Sequence, residues 1–131
     1  MLNQANTIVT YILELEVLGK TAQIRHFIQN ESSAYTLACD EPKTMRFEWF
    51  MSEDEKQATL IEMFADSDGA KQRLQNLQAS PIVEPFQQLF KITSLTVLGA
   101  VKPDLRLLLD GWDADCREYA GGFYKGLDTP V

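Results

Sequence analysis

The run Thr7-Ile-Val-Thr-Tyr-Ile-Leu-Glu-Leu-Glu16 carries apolar side chains at both odd and even positions. That double apolarity constrains the fold more than anything else in the chain. Side chains of a strand point alternately to opposite faces. Thr7, Val9, Tyr11, Leu13 and Leu15 make a clean apolar face, and Ile8, Thr10, Ile12, Glu14 and Glu16 make a mixed one. Such a strand belongs in a sheet covered on both sides.

Further segments repeat the theme. Gly19 and Lys20 break the first strand, and Thr21 can cap a helix in which Ile24, Phe27, Ile28, Tyr35 and Ala38 recur at helical spacing. That helix should stop before Asp40-Glu41-Pro42. Thr44 to Met51 alternates again, with Met45, Phe47, Trp49 and Met51 against Arg46, Glu48 and Phe50. A polar turn at Ser52 to Lys56 leads into a third strand, Gln57 to Ala65, which completes a hairpin. Asp66-Ser67-Asp68 suits the start of a helix with Ala70, Leu74 and Leu77 on its narrow apolar stripe. Ser80-Pro81 opens a short helix with Ile82, Val83, Phe86, Leu89 and Phe90 inward, and Ile92 to Gly99 forms a fourth strand.

The order β-α-β-β-α-β is the split βαβ of a ferredoxin-like α+β fold, an antiparallel sheet with helices on one face. One domain is expected over 1–131, with a core of about 7–99 and a C-terminal extension of about 100–131. Pro103 starts a leucine-rich helix in that extension, and Trp112, Tyr119, Phe123 and Tyr124 predict that the tail docks on the body or on a partner.

The second sheet face presents Ile8, Ile12, Phe50 and Leu98, with Leu60 and Phe64 expected beside them. An exposed patch of that size exceeds what a monomer surface carries. A second copy of the same sheet is the simplest cover, so a homodimer is expected, with coverage by the tail as the alternative. Glu14, Arg46, Glu48 and Glu62 would then form a polar cluster inside the barrel, structural or catalytic. The register of the third strand decides the side on which Glu62 points.

Composition removes several classes. A net charge of -7 with scattered basic residues argues against nucleic acid. The apolar opening is interrupted by Glu14 and Glu16 and has no basic region before it, so it reads as neither a targeting segment nor a membrane span. Cys39 and Cys116 lack metal-ligand spacing and read as reduced thiols of a cytoplasmic protein. His26 is the only histidine, so neither a metal site nor a Ser-His-Asp triad is expected.

On the helix-facing side Tyr11, Phe47, Trp49 and Phe86 can wall a cavity for a small aromatic ligand or simply pack the core. Arg73 borders the stripe of the second helix, where it packs its stem as a rim arginine or reaches an anionic or phenolic ligand. Glu31 falls within the stripe of the first helix, where a carboxylate turns its head to the edge or, if held inside, has a raised pKa and could serve as a base.

Two segments resemble the antibiotic-biosynthesis-monooxygenase family of dimeric α/β barrels. Glu41-Pro42-Lys43-Thr44-Met45-Arg46-Phe47-Glu48-Trp49 is similar to its Glu-Pro-Gly-Thr turn entering the second strand, with Lys43 in place of the glycine. Glu62-Met63-Phe64-Ala65-Asp66-Ser67-Asp68 is similar to its third-strand exit. The likeness covers roughly residues 7 to 99. It implies a homodimer with a ligand cavity between sheet and helices, and oxidation of a phenol or quinol by molecular oxygen without a cofactor. Many members carry a histidine where this chain has Arg73, and residues 74 to 131 hold no histidine for haem. The alternative is a dimer of the same fold that binds a small molecule or a partner without chemistry.

Overall fold

The computed structural model describes residues 7–125. Its strands are β1 (Val9–Val17), β2 (Thr44–Met51), β3 (Gln57–Phe64), β4 (Phe90–Gly99) and β5 (Asp115–Arg117). They form one sheet in the order β2-β3-β1-β4-β5. The first four pair antiparallel, and β5 joins β4 in parallel. β3 lies between β1 and β2, and β1 lies between β3 and β4, so the ferredoxin-like interleaving expected from the element order is present.

One face of the sheet is closed by helices. Val9, Tyr11, Leu13 and Leu15 of β1 are buried there together with Leu95 and Val97 of β4. Each fully buried side chain of this size contributes about 1.5–3 kcal/mol. α3 (Ser67–Gln78) is capped by Asp66, whose carboxylate accepts the Gly69 N–H at 2.9 Å. α4 (Val83–Leu89) follows, and β4 begins at once, two residues earlier than the alternation suggested.

Three departures from the sequence expectation have physical causes. The first helix is not uniform: α1 (Thr21–His26) passes through a π-helical segment, Phe27–Ser32, before α2 (Ser33–Ala38). The wider turn absorbs extra residues and shifts the inward stripe. Ile24 and Phe27 are buried as expected, but Ser32 and Thr36 then follow them inward, and Glu31 and Ala38 face solvent.

A bulge between Thr44 and Arg46 takes Met45 off the face shared by Phe47 and Trp49 and leaves it exposed. Finally, β3 pairs with β1 as Leu13↔Leu60 and Tyr11↔Glu62. Partners across a ladder share a face. Leu60, Glu62 and Phe64 therefore lie under the helices, not on the open face where they were expected, and Thr59, Ile61 and Met63 take their places.

The C-terminal extension adds α5 (Pro103–Leu109), a 3-10 turn at Asp110–Trp112, and β5, an edge strand whose three residues are too short to show alternation in the sequence. α5 packs beside α3 and buries Leu105 and Leu109 in the same core. Its described part thus reinforces the helix side and does not cover the second sheet face, where Phe50 and Leu98 are exposed.

Gly99 ends β4 with φ +113°, and a Cβ there would lie 2.0 Å from the Ile8 carbonyl oxygen. Backbone strain and a clash with main chain act together at this position. Gly99→Ala is expected to lower the unfolding free energy by about 2–4 kcal/mol in urea titration, whereas the same change at open Gly111 should shift it by under about 1 kcal/mol.

Candidate functional site

Between the helices and the sheet lies a small enclosed cavity of about 30 Å³ lined by Leu13, Ser32, Phe47, Leu60, Glu62, Arg73, Leu77, Ile82, Phe86 and Trp112. It has room for a water molecule or two. Its walls are apolar and its floor is charged.

The floor is assembled from three elements. Glu62 projects from the middle of β3, between Tyr11 on one side and Phe47 on the other. Arg73, on the inner face of α3, donates from Nε to Glu62 Oε1 at 3.1 Å and from Nη1 to Glu41 Oε2 at 3.1 Å. Glu41, in the loop before β2, also accepts from Asn76 Nδ2 at 2.9 Å and from Thr44 Oγ1 at 3.0 Å. The Arg73 guanidinium carbon lies 5.6 Å from the centre of the Phe47 ring, a cation–π contact. All three charged side chains are at least nine-tenths buried: Glu41 is 8% exposed, Glu62 5% and Arg73 4%.

Two carboxylates share one cation here, so the cluster has one negative charge more than it can neutralise. Burial accordingly pushes the Glu62 carboxyl above the usual glutamate range, and Arg73 offsets that only in part. Burial also works against the charge on Arg73, but Glu62 and Glu41 outweigh it, and the guanidinium stays cationic. Tyr11 is held protonated, raised first by burial and then by the nearby Glu62 charge. Its hydroxyl donates to the Ala70 carbonyl at 2.8 Å.

Of the side chains singled out from the sequence, Phe47, Arg73 and Phe86 line the cavity, and Glu62 joins them from the group assigned to the opposite face. Tyr11 is instead a core residue, edge-on to Phe64 at 4.9 Å. Trp49 sits in an aromatic cluster with Phe27, Phe86 and Phe90, and its Nε1 is buried without a partner. Glu14, Arg46 and Glu48 remain on the open face, where Arg46 pairs with Glu48 and Glu14 accepts from Thr59. The expected polar cluster of four is thereby split. Glu31 and His26 are exposed and take no part.

The sequence reading missed Glu41 and Ser32 as site residues. Glu41 was visible only as part of a turn, and Ser32 comes inward because of the π segment. Trp112 was noted as aromatic, not as a cavity wall.

Two larger hollows flank the cavity. An apolar groove of about 380 Å³ is lined by Leu18, Leu77, Val83, Phe86, Gln87, Phe90, Lys91, Ile92 and Trp112. On the other side a hollow of about 360 Å³ includes Ser33, Thr36, Glu41, Thr44, Arg46 and Phe47. Among the described residues, no helix is long and apolar enough to cross a membrane.

No protein-family model matches the chain, and no curated protein matches it in sequence. Solved structures do match. MupZ from Pseudomonas fluorescens superposes with a TM-score of 0.74 at 16% identity, over 92% of this chain and 97% of that one. SnoaB, a cofactor-independent oxygenase from Streptomyces nogalater, gives 0.60 at 15% identity over 73% of this chain and 95% of its own. A Bacteroides thetaiotaomicron protein described as a possible oxidoreductase gives 0.55 at 13% identity, over 71% and 97%. The chain shares their α+β fold.

The raised Glu62 pKa has a definite linkage sign. The folded state holds this proton more tightly than the unfolded chain, so its contribution to stability is complete below the ordinary glutamate value of 4.5 and is lost as pH rises through the higher folded value. Glu62→Gln should remove that descending limb from a plot of unfolding free energy against pH. Arg73→Met should cost about 3–5 kcal/mol at neutral pH and less in acid, because it strands two buried carboxylates.

Proposed function

We propose that this chain is a monooxygenase-like protein of the antibiotic-biosynthesis-monooxygenase type, which oxidises a small phenol or quinol with molecular oxygen and no cofactor. The observation that carries this reading is the buried Glu62 carboxylate, basic for its type and fixed by Arg73, in an aromatic-walled cavity under the helices. The SnoaB likeness in fold adds the precedent of a cofactor-independent oxygenase.

The chemistry balances with the groups present. Glu62 takes the phenolic proton, and the Arg73 cation stabilises the phenolate. The electron-rich ring gives one electron to O2, and the two radicals join in a carbon–oxygen bond. Protonated Glu62 returns its proton to the terminal oxygen, giving a hydroperoxide. Glu62 then removes the hydrogen from the oxygenated carbon as the O–O bond breaks. A carbonyl forms, and the departing hydroxide recovers that proton as water. Over the whole sequence the phenol loses two hydrogens and gains one oxygen atom, a four-electron oxidation matched by the four-electron reduction of O2, whose second oxygen atom leaves as water.

The protein works as a homodimer in this reading, paired through the open sheet face. Ile12, Phe50, Ile61 and Leu98 form an apolar strip there, with Phe50 and Leu98 exposed and Ile12 and Ile61 half-buried. Burying four such side chains per subunit favours association by several kcal/mol after ordering costs. Sedimentation should give twice 14.9 kDa at micromolar concentration, and Ile61→Lys should return the monomer mass.

A second reading is a binding module without chemistry. The cavity volume favours it, since about 30 Å³ does not admit an aromatic ring unless side chains move. Oxygen uptake with dihydroxy aromatics separates the two. The catalytic reading expects turnover that rises with pH through the elevated Glu62 pKa and falls by about 10²–10⁴ in Glu62→Gln. Tight aromatic binding with no uptake on any substrate establishes the module instead.

A further inference from the structure

The small cavity and the apolar groove share a wall. Leu77, Phe86 and Trp112 line both, and stand between a compartment of about 30 Å³ and one of about 380 Å³. The small compartment holds the only charged floor of the two. The large one is apolar except for Gln87 and Lys91 at its edge.

Two of the wall residues belong to the helices of the ferredoxin-like core. The third belongs to the C-terminal extension. Trp112 closes the 3-10 turn after α5, and that turn is anchored firmly: Leu105 and Leu109 are buried at 0% and 1% exposure, and the Lys102 N–H donates to Ser67 Oγ at 3.0 Å. Asp113 then turns the chain away in the left-handed region, with φ 54°. The indole is thus held against the core by an element that contributes nothing to the charged floor. A wall built this way limits what can lie across it.

We infer that Trp112 is a specificity-determining residue and that the ligand is an amphiphile, with a single hydroxylated head at Glu62 and Arg73 and an apolar body lying in the groove between Trp112, Phe86 and Leu18. The inference rests on the reading of Glu62 and Arg73 as the head site, but it does not require oxidation to occur. Apolar surface removed from water in the groove supplies the affinity, and the buried charges supply the orientation.

The test is a homologous series, 4-methyl-, 4-propyl- and 4-pentylphenol, titrated into the full chain and followed by NMR. Affinity should rise about fourfold per methylene, because each buried CH₂ is worth about 0.8 kcal/mol and 1.4 kcal/mol is tenfold. Trp112→Ala should reduce that slope below about twofold per methylene, and Trp112→Phe should restore it. Leu18 is 53% exposed at the groove's edge. Leu18→Ser therefore tests the same groove without disturbing the core, and should weaken 4-pentylphenol while sparing 4-methylphenol. A flat series in the native chain, or an undiminished slope in both Trp112→Ala and Leu18→Ser, overturns the inference. A steep, Trp112-dependent series without oxygen uptake upholds it and overturns the oxidative chemistry alone. Loss of all binding in Glu62→Gln with no uptake in the native chain upholds the head site as a binding site.

Discussion

A buried carboxylate organises this molecule. Glu62 lies mid-strand in β3, and its pairing opposite Tyr11 turns it toward the helices. Leaving it there unpaired would cost more than a small domain can tolerate. Arg73 meets it from α3, and Glu41 meets Arg73 from the loop before β2. One ion cluster therefore cross-links a helix, a strand and a connecting loop, and it sets how closely α3 can approach the sheet. Apolar residues of equal volume could fill that space with similar or better stability. What the charged solution adds is a proton acceptor of raised basicity in a compartment shielded from bulk solvent.

Much of this architecture was legible. The alternation in β1, the hairpin of β2 and β3, the cap at Asp66 and the order of elements follow from local periodicity and turn chemistry, and all stand in the structure. The site was less legible, for identifiable reasons. Both parities of β3 are apolar enough to face a core: Ala58, Leu60 and Phe64 compete with Thr59, Ile61 and Met63. Only the pairing with β1 decides between them, and a one-residue slip moves Glu62 through the sheet. Likewise no residue in Phe27–Ser32 announces a π turn. A regular helix would keep Glu31 and Tyr35 on the inner stripe, whereas the wider turn substitutes Ser32 and Thr36. Arg73 lay beside Ala70, Leu74 and Leu77, and the pattern could not distinguish a rim arginine from a buried one.

The sheet's two faces divide the work of the fold. Toward the helices, packing is dense and the polar groups are few and cross-bonded. Toward the open side, Arg46 pairs with Glu48 two residues along its strand, Glu14 accepts a hydrogen bond from the Thr59 hydroxyl across the ladder, and these groups frame an apolar strip. Such an arrangement holds polar side chains in place without enclosing them. It differs in kind from the Glu62 cluster, whose members gain their properties from exclusion of water.

That exclusion links the walls of the cavity to the chemistry of its floor. The proton affinity of Glu62 comes first from burial, with Arg73 pulling the other way. Burial is supplied by Phe47, Leu77, Phe86 and Trp112, the same side chains that limit what can fit. Basicity and selectivity are therefore coupled. Removing part of that wall to admit a bulkier head would bring solvent to the carboxylate and return it toward an ordinary glutamate. Trp112 ties the C-terminal extension to this balance, because it walls the cavity and the groove at once while the extension places no residue in the ion cluster.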